Sequence, residues 1–536
     1  MTALLLLTLF ACRGPIDPGP VPDLVIVGVV HPAPPEPGRR LAVLVSEGRI
    51  LDLVDEAEGR TRGGTAPVLE ADHVTPGFVD AHAHPMSLGK KLSELNLTGL
   101  ETYAATLEKV SEVASGPGWL SGRGWDQNDW SDPPPGGWPL AADLDALMPD
   151  RPVVLRRVDG HAAWVNSAAL RLSGIDAATP DPEGGRILRD ADGNPIGVLV
   201  DEAISLLQDP KPDPSSREAW LARGLEEIAA VGLTGVHAMG LSDESLAVYT
   251  AFDREQRLPV RIWAYVSPDT EAEARLYREG PWAEHNLKVV GVKDFADGAL
   301  GSRGALLSED YADEPGHRGL EVVSPEMLAT RATRLVQADA QMAIHAIGDA
   351  GVRHALDAYA AARQAHPDKR AIRLRVEHAQ VVHPEDVPRF AELGLIASMQ
   401  PTHATSDMPW AEARLGPERV RWSYAWRTLS DQGAPMAFGS DFAVEEADPG
   451  LGLWAAVHRT DLAGNPAGGW YPEQAFTIDE AIAGFTTGAA YAVHEEDRLG
   501  SLLPGRPADL TLWRVKDARW QAIATIVDGT ILWSAL

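Results

Sequence analysis

Cysteine is almost absent from this chain of 536 residues, which contains only Cys12. Intrachain disulfides are therefore excluded as a source of stability. Long hydrophobic runs are also missing, because the apolar stretch before Cys12 is too short to span a bilayer and no later segment is long enough. Positive charge is scarce, with 47 Lys and Arg residues against 77 Asp and Glu residues and a formal net charge of −30. This charge argues against nucleic acid and anionic lipid headgroups as partners.

The N-terminal stretch MTALLLLTLFAC resembles the signal of bacterial lipoproteins. In those signals a Leu-x-small-Cys pattern ends at the cysteine that becomes lipidated, and Leu9, Phe10, Ala11 and Cys12 stand in those places. Phe10 is bulkier than usual, and no Lys or Arg precedes the apolar run. The Pro- and Gly-rich stretch that follows fits a tether. We therefore expect a signal and tether over residues 1–21, with the protein lipid-anchored in the bacterial cell envelope, facing the periplasm or exported.

Both ends of the remaining chain have β-like patterns. The stretches DLVIVGVV and LAVLVSEGRILDLV lie near the start, and ADLTLWRV and IATIVDGTILW lie near the end. We expect residues 22–75 and residues 491–536 to pair into one small β-sandwich domain. The length of the chain agrees with one large domain accompanied by one smaller domain.

Between these ends, short apolar strands alternate with longer amphipathic segments, which indicates an α/β fold over residues 76–490. Eight candidate strands are present, the number that a (β/α)8 TIM barrel requires. Most of them end in His, Lys or Asp, although a parallel barrel strand is otherwise a continuous apolar run. The eight are GFVDAHAH, LTGVHAMG, VRIWAYV, VVGVKDFADG, QMAIHAIGD, LRVEHAQ, LIASMQPTH and PMAFGSD.

The interval between the first two strands is too long for an ordinary crossover, so we expect an insertion over about residues 100–223. It is dense in Trp, His, Asp and Asn, which suits a lid or a substrate wall. Trp125, Asp126, His161 and Trp164 are therefore candidates for substrate contact. The alternative is an ordinary subdomain whose tryptophans serve packing.

The polar strand ends predict a metal site. Residues i and i+2 of a strand point to the same face, so His82 and His84 can aim at one point, and the carboxyl ends of barrel strands meet in one cavity. Imidazoles and a carboxylate suit a borderline divalent ion such as Zn²⁺, which lowers the pKa of a bound water molecule. The predicted ligands are His82, His84, Lys293, His345, His378 and Asp441.

These residues stand in motifs that resemble the amidohydrolase superfamily, and specifically its branch called amidohydrolase family 3. PGFVDAHAHP, DGHAAWVNSAAL, VKDFADGALGSRGALL, IHAIGDAG, RVEHAQ, FGSDFAVEEADP and GSLLPGRPADLTLW match in order. The resemblance covers the chain after the tether. Members of this family include a deformylase that acts on N-substituted formamides.

The resemblance implies a role for each predicted ligand. His82 and His84 would bind one metal ion, and His345 and His378 would bind a second. Lys293 would bridge the two ions as a carbamate, because an ammonium group has no lone pair for a metal.

Asp441 would be both a metal ligand and the general base that passes a proton from water to the leaving nitrogen. The chemistry implied is hydrolysis of a C–N bond in a small amide-type substrate by metal-activated hydroxide.

Several residues keep an alternative interpretation. Lys293 could instead pair with Asp294 or Asp297 as an ordinary barrel lysine. Asp349 could cap a helix or support a ligand. Arg303, in a glycine-rich loop, could meet a substrate carboxylate or carbonyl, or form a structural ion pair. Ala238 stands where the family often has Asp after the histidine of the second strand, which weakens any role for that strand.

Two rival functions remain open at the level of the sequence. A deaminase or a cyclic-amide hydrolase uses the same metal cage, and a deaminase would release ammonia. A lipid-anchored protein that binds a metal or ligand without catalysis is the rival outside enzymology, although every expected ligand position is filled. The sequence carries no indication of an oligomeric state.

Overall fold

The first N-terminal strands form because short apolar runs rich in β-branched residues are buried on both faces. The computed structural model describes residues 21–116, 118–127, 129–157, 162–182, 185–208, 214–301 and 303–536. Cys12, the predicted signal and most of the tether, and also His161, lie outside these residues. The first elements are β1 (Leu24–Val30), β2 (Arg39–Ser46), β3 (Arg49–Val54), α1 (Glu56–Gly63), β4 (Val68–Pro76) and β5 (Phe78–Ala83).

Residues His84–Glu227 form a compact unit of their own, and the described residues up to Ala83 together with Ile228–Leu536 form the other. The separate unit contains a six-stranded sheet in the order β10-β11-β9-β8-β7-β6. Its elements are α2 (Pro85–Ser93), β6 (Leu95–Asn96), α3 (Tyr103–Ser111), β7 (Leu120–Trp125), α4 (Ala141–Leu147), β8 (Val153–Arg157), β9 (Ala162–Val165), α5 (Ser167–Ser173), β10 (Gly185–Arg189), β11 (Pro195–Asp201), a 3₁₀ segment (Glu202–Leu206) and α6 (Pro214–Ala230), which ends just beyond the unit.

The larger unit continues with alternating strands and helices. These are β12 (Leu233–Leu241), α7 (Asp243–Arg254), β13 (Arg261–Val266), α8 (Glu271–Glu279), β14 (Trp282–Ala283), β15 (Leu287–Phe295), α9 (Pro325–Gln337), β16 (Gln341–Ala346), α10 (Asp349–Ala365), β17 (Leu374–His378), α11 (Val387–Leu393), β18 (Leu395–Met399), α12 (Pro401–Asp407), α13 (Ala411–Arg419), α14 (Trp426–Asp431) and β19 (Met436–Phe438).

Helices and three consecutive antiparallel strands complete the chain. They are α15 (Pro449–His458), α16 (Ile478–Ala483), a π-helical turn (Gly484–Gly488), α17 (Ala489–Ala492), β20 (Leu510–Lys516), β21 (Arg519–Val527) and β22 (Thr530–Ser534). In the part of the chain that the structure describes, no helix combines the length and the apolar character needed to cross a membrane.

Eight strands pair in parallel in the order β19-β18-β17-β16-β15-β13-β12-β5, and they are the eight strands predicted from the sequence. The first and last strands approach each other at their carboxyl ends, where the Asp441 amide donates to the His82 carbonyl oxygen at 2.8 Å. The fold is therefore a nearly closed (β/α)8 barrel, as predicted, and its strand ends converge on one region.

The two chain ends meet in a seven-stranded sheet with the order β22-β21-β20-β4-β1-β2-β3. Strands β1 and β2 from the start and β20 and β21 from the end contribute to one apolar core, which includes Ile26, Val43, Leu512 and Ile526. The two ends share a core, and hydrogen bonds join all seven strands into one continuous sheet.

Candidate metal centre

The first barrel strand carries His82 and His84 to its carboxyl end. One ligand atom from each, together with a carboxylate oxygen of Asp441, forms a group in which all atoms lie within 4.8 Å of one another. The His82 Nε2 atom lies 3.6 Å from the Asp441 carboxylate. Two imidazoles and a carboxylate this close are a chemically suitable donor set for a divalent metal ion.

The backbone after the last strand brings Asp441 to this group. Asp441 has a φ of +62°, an uncommon conformation for a residue other than glycine that turns the chain at the strand end. The preceding Ser440 donates its hydroxyl to the Asp80 carboxylate at 2.6 Å, and Asp80 also accepts the His82 amide at 3.0 Å. A Cβ atom on Gly439 would lie 2.5 Å from both Asp80 and His82, so this position requires glycine.

Three more predicted ligands lie at the ends of neighbouring strands. The rings of His345 and His378 have centroids 4.5 Å apart, and those of His82 and His378 are 4.8 Å apart. Lys293 is buried, with its Nζ atom 4.0 Å from the centroid of the Phe295 ring, and that ring lies 5.2 Å from the His345 ring. The structure thus places all six predicted ligands at the carboxyl ends of β5, β15, β16, β17 and β19.

Burial sets the ionisation of these groups. It lowers the pKa of His82 to about 4 and that of His345 to about 3, because desolvation disfavours the imidazolium form. The same cause lowers the pKa of Lys293 to about 8. His82 and His345 are therefore neutral at neutral pH, and a neutral imidazole has the ring nitrogen lone pair that a metal needs.

A buried ion pair supports His82, and it was not predicted from the sequence. The Nδ1 atom of His82 lies 2.6 Å from the Glu377 carboxylate, which accepts hydrogen bonds from Arg375 at 2.7 and 3.0 Å. Burial alone would raise the pKa of Glu377, but the Arg375 guanidinium and the bond to His82 lower it to about 2. Arg375 also contacts the Nδ1 atom of His237 at 2.7 Å, which gives the second strand an indirect connection to the site.

The sequence signal for this pair lay in LRVEH, where two charged residues alternate within a barrel strand. Alternation places Arg375 and Glu377 on one face, which is the interior of a barrel. His378 follows directly, and its φ of +71° departs from strand geometry. Its Nδ1 atom lies 2.7 Å from the amide oxygen of Gln400, a second partner that the sequence did not reveal.

The two carboxylates that could have paired with Lys293 are engaged elsewhere. Asp294 accepts from Arg331, and Asp297 accepts the backbone amides of Ile347 and Gly348 at 2.9 and 2.7 Å. Among the described residues, no ion pair joins Lys293 to either carboxylate. Lys293 therefore lacks the salt bridge that its structural alternative requires.

The tryptophans of the insertion belong to the core of their own unit, which corrects their assignment to substrate contact. Trp125 is 1% exposed and Trp164 is 0% exposed. Their indole N–H groups donate to the carbonyl oxygens of Leu155 at 2.7 Å and Leu140 at 2.9 Å. Such partners are typical of indoles buried for packing.

Two charged candidates are held in ion pairs, and Asp349 is not a cap. Asp126 pairs with Arg157 at 2.6 Å. Arg303 donates to Asp313 at 2.9 and 3.2 Å, which matches the structural alternative for this residue. Gly348 is the N-cap of α10, whereas Asp349 is its first residue and accepts the Ser308 amide at 2.9 Å.

Comparison with known proteins agrees with the geometry. The chain is 35% identical over 449 residues to the YtcJ protein of Bacillus subtilis (strain 168), covering 82% of this chain and 83% of that protein. It is 28% identical over 539 residues to the N-substituted formamide deformylase of Arthrobacter pascens, covering 91% of this chain and 94% of that protein.

A crystal structure of an uncharacterized metal-dependent hydrolase from Pyrococcus horikoshii OT3 superposes with a TM-score of 0.75 at 26% identity, covering 92% of this chain and 98% of that chain. The model of the amidohydrolase family matches residues 69–532. The chain therefore belongs to the amidohydrolase family and is a metal-dependent hydrolase that acts on C–N bonds.

Proposed function

We propose that this protein hydrolyses the C–N bond of a small amide, with N-substituted formamides as the first substrate class, and that it holds two divalent metal ions, most suitably Zn²⁺. The observation that carries the proposal is the close group of His82, His84 and Asp441 at the barrel strand ends. Amide hydrolysis needs an activated water molecule and a polarised carbonyl group, and this donor set serves both needs.

The donors divide into two sets, one for each metal ion. His82 and His84 would hold one ion, His345 and His378 would hold the other, and Asp441 would contribute a carboxylate oxygen. The donors fit such ions because burial keeps the His82 and His345 imidazoles neutral, and because Glu377 and Gln400 engage the Nδ1 atoms of His82 and His378. Each of those two rings therefore directs its Nε2 atom away from these partners.

Lys293 would bridge the two ions after carboxylation. The neutral amine attacks CO₂, a new N–C bond forms, and one proton is released to give a carbamate with two ligand oxygens. Burial lowers the Lys293 pKa to about 8, so roughly a tenth of the amine is neutral at pH 7, against less than about a thousandth for an ordinary lysine. The environment of Lys293 thus favours this modification.

The chain's own groups move the protons and hold the geometry. Divalent ions bound at this site would lower the pKa of a water molecule and polarise the substrate carbonyl. The Asp441 carboxylate would accept the proton from that water and deliver it to the leaving nitrogen. Glu377, fixed by Arg375, would hold the orientation of His82 throughout.

The choice of formamides rests on the relative from Arthrobacter pascens, whose name states that substrate class and whose length is 94% covered. Deamination and cyclic-amide hydrolysis are the rivals, and their products separate them: a formamide releases formate and an amine, a deaminase releases ammonia, and a cyclic amide gives one ring-opened product.

The test is product analysis with purified protein, Zn²⁺ and a panel of N-substituted formamides, simple amides, cyclic amides and aminated heterocycles. We expect formate release that is lost in His82→Ala and Asp441→Asn and retained in His285→Ala, a control at an exposed histidine. Turnover that persists in His82→Ala and Asp441→Asn would overturn the proposed site. If only the aminated heterocycles react, with release of ammonia, the proposed substrate class is wrong and the proposed metal centre stands.

We also propose that the protein is lipid-anchored through Cys12 in the cell envelope, which the pattern Leu9 to Cys12 supports. The expected result is membrane fractionation of the full chain in a bacterial host and its loss in Cys12→Ser. Equal fractionation of the two proteins would contradict the anchor.

A further inference from the structure

His403 follows the seventh barrel strand, β18, which supplies none of the six predicted ligands. Strand β18 ends at Met399, and α12 begins at Pro401, so His403 lies in the first turn of the helix that follows the strand. The carboxyl end of a barrel strand is where catalytic residues lie in this fold. His403 is therefore in a position from which it can reach the substrate.

The imidazole of His403 faces the site. Its Nε2 atom lies 4.0 Å from the Asp441 carboxylate. Its ring is nearly parallel to that of His378, with an interplanar angle of 18° and centroids 5.9 Å apart. His403 thus lies beside both a proposed metal ligand and the proposed general base, with its side chain 13% exposed.

The Nε2 atom of His403 is buried and has no hydrogen-bond partner among the described residues. Leaving a buried polar atom without a partner destabilises a protein, so an apolar side chain would serve better at this position if the role were packing alone. Nearly all buried polar groups in folded proteins are satisfied. The unused nitrogen therefore indicates a partner that binds from the site.

The role of an additional metal ligand is less well supported by the geometry. The group of donor atoms within 4.8 Å of one another consists of His82, His84 and Asp441, and His403 is not a member. At 4.0 Å from Asp441, the Nε2 atom leaves room for a substrate atom that contacts both residues.

We propose that the Nε2–H group of His403 donates a hydrogen bond to the carbonyl oxygen of the substrate. This inference rests on the proposed amide hydrolysis. As the carbonyl carbon becomes tetrahedral, negative charge develops on its oxygen, and a fixed donor in a buried site stabilises that charge more than it stabilises the planar amide. His403 acts only as a hydrogen-bond donor, and no proton leaves its ring during the reaction.

The matched variants are His403→Gln, which keeps an N–H donor near the position of Nε2, and His403→Met, which has a similar size without a donor. We expect His403→Met to lower kcat about 10²- to 10³-fold with little change in KM, and His403→Gln to recover part of the loss. Both should bind the wild-type number of zinc equivalents by elemental mass spectrometry. His285→Ala is the control at an exposed histidine.

A second measurement is independent of turnover. A urea that carries the N-substituent of the best substrate and a ¹³C carbonyl is bound to the zinc-loaded protein, and its carbonyl stretch is recorded by isotope-edited infrared spectroscopy. We expect the band at lower wavenumber in the wild type and His403→Gln than in His403→Met, because a hydrogen bond weakens the carbonyl bond.

Each other outcome has a defined meaning. If the wild type releases formate and His403→Met matches its kcat within twofold, the role of His403 is wrong and the proposed function stands. If His403→Met loses zinc, His403 is a metal ligand and the carbonyl contact is overturned. If the wild type neither hydrolyses nor binds any amide or urea, both proposals are wrong.

Discussion

The Nδ1 atom of His82 lies 2.6 Å from the carboxylate of Glu377, although 295 residues separate them along the chain. The contact joins the ends of the first and sixth barrel strands. It fixes the proton of His82 on Nδ1, so that Nε2 carries the lone pair on the side of Asp441, 3.6 Å away. The organisation of the proposed metal centre thus depends on a carboxylate that is not itself among the predicted ligands.

Replacing Glu377 by Gln is expected to weaken zinc binding about 10- to 100-fold, because a neutral amide oxygen is a weaker acceptor for the Nδ1–H group of His82 than the carboxylate. The variant should also lose stability, since Arg375 keeps a buried charge without its carboxylate partner. Zinc affinity by competition with a chromophoric chelator is the measurement. Glu273→Gln is the control, because Glu273 forms a buried pair with Arg331 at 2.8 Å and should cost stability while leaving zinc affinity unchanged. Equal zinc affinities for the wild type and Glu377→Gln would contradict this role.

Lys293→Ala is expected to lose one zinc equivalent and most of the activity, because the bridging carbamate is gone. Added acetate or propionate should restore part of both, since a free carboxylate can occupy the space that the side chain leaves. Lys288→Ala is the control on the same strand, where Lys288 pairs with Glu495 instead. Activity that survives in Lys293→Ala without an added carboxylate would rule out the bridge.

Ser440→Ala is expected to destabilise the fold by about 1–3 kcal/mol, because Asp80 loses the hydroxyl donor at 2.6 Å. Asp80 also holds the amide of His82, so zinc affinity should fall together with stability. The measurements are urea unfolding of the metal-free protein and zinc titration. Ser423→Ala removes a buried hydroxyl that donates to Val420, and should lower stability alone. A Ser440→Ala protein with normal zinc affinity would show that Asp80 positions only the backbone.

Glu480→Gln is expected to lower stability by about 1 kcal/mol at neutral pH. Hydrogen bonds from Arg427 and from the Thr477 capping box lower the pKa of Glu480 to about 2, from an ordinary 4.5. A carboxyl group with a lowered folded-state pKa stabilises the fold above pH 4.5, and this stabilisation is lost as the pH falls towards 2. The unfolding free energies of the wild type and Glu480→Gln, measured from pH 2 to 7, should therefore become equal near pH 2. A free-energy difference between the two proteins that stays constant across that range would contradict this role of Glu480. Glu473→Gln is the control, because Glu473 is exposed.

The barrel could be predicted from the sequence because polar residues stand at the ends of its apolar strands. Apolar runs that end in His82, Lys293 or Asp441 are unusual unless those ends meet, and the structure brings them together. Arg375 and Glu377 gave a similar signal, because two charged residues alternate within one barrel strand. They were missed because the motif was interpreted through His378 alone.

Other features could not be predicted because they depend on long-range packing. The indoles of Trp125 and Trp164 donate to backbone carbonyls of distant segments, so a Trp-rich motif that resembled a substrate wall is the core of a separate sheet. The left-handed backbone at His378 and Asp441 is equally invisible in the sequence, because neither residue type requires it. Gln400 and His403 lie beyond the strand end and reach the site only through the turn into α12.

Metal content per chain tests the central claim most directly. The purified protein, prepared without chelators and loaded with zinc, is analysed by elemental mass spectrometry beside His82→Ala and His285→Ala. We expect about two zinc equivalents in the wild type and in His285→Ala, and fewer in His82→Ala. One equivalent in the wild type would remove Lys293 from the bridge and favour chemistry at a single ion. No bound metal in the wild type would contradict the metal centre itself.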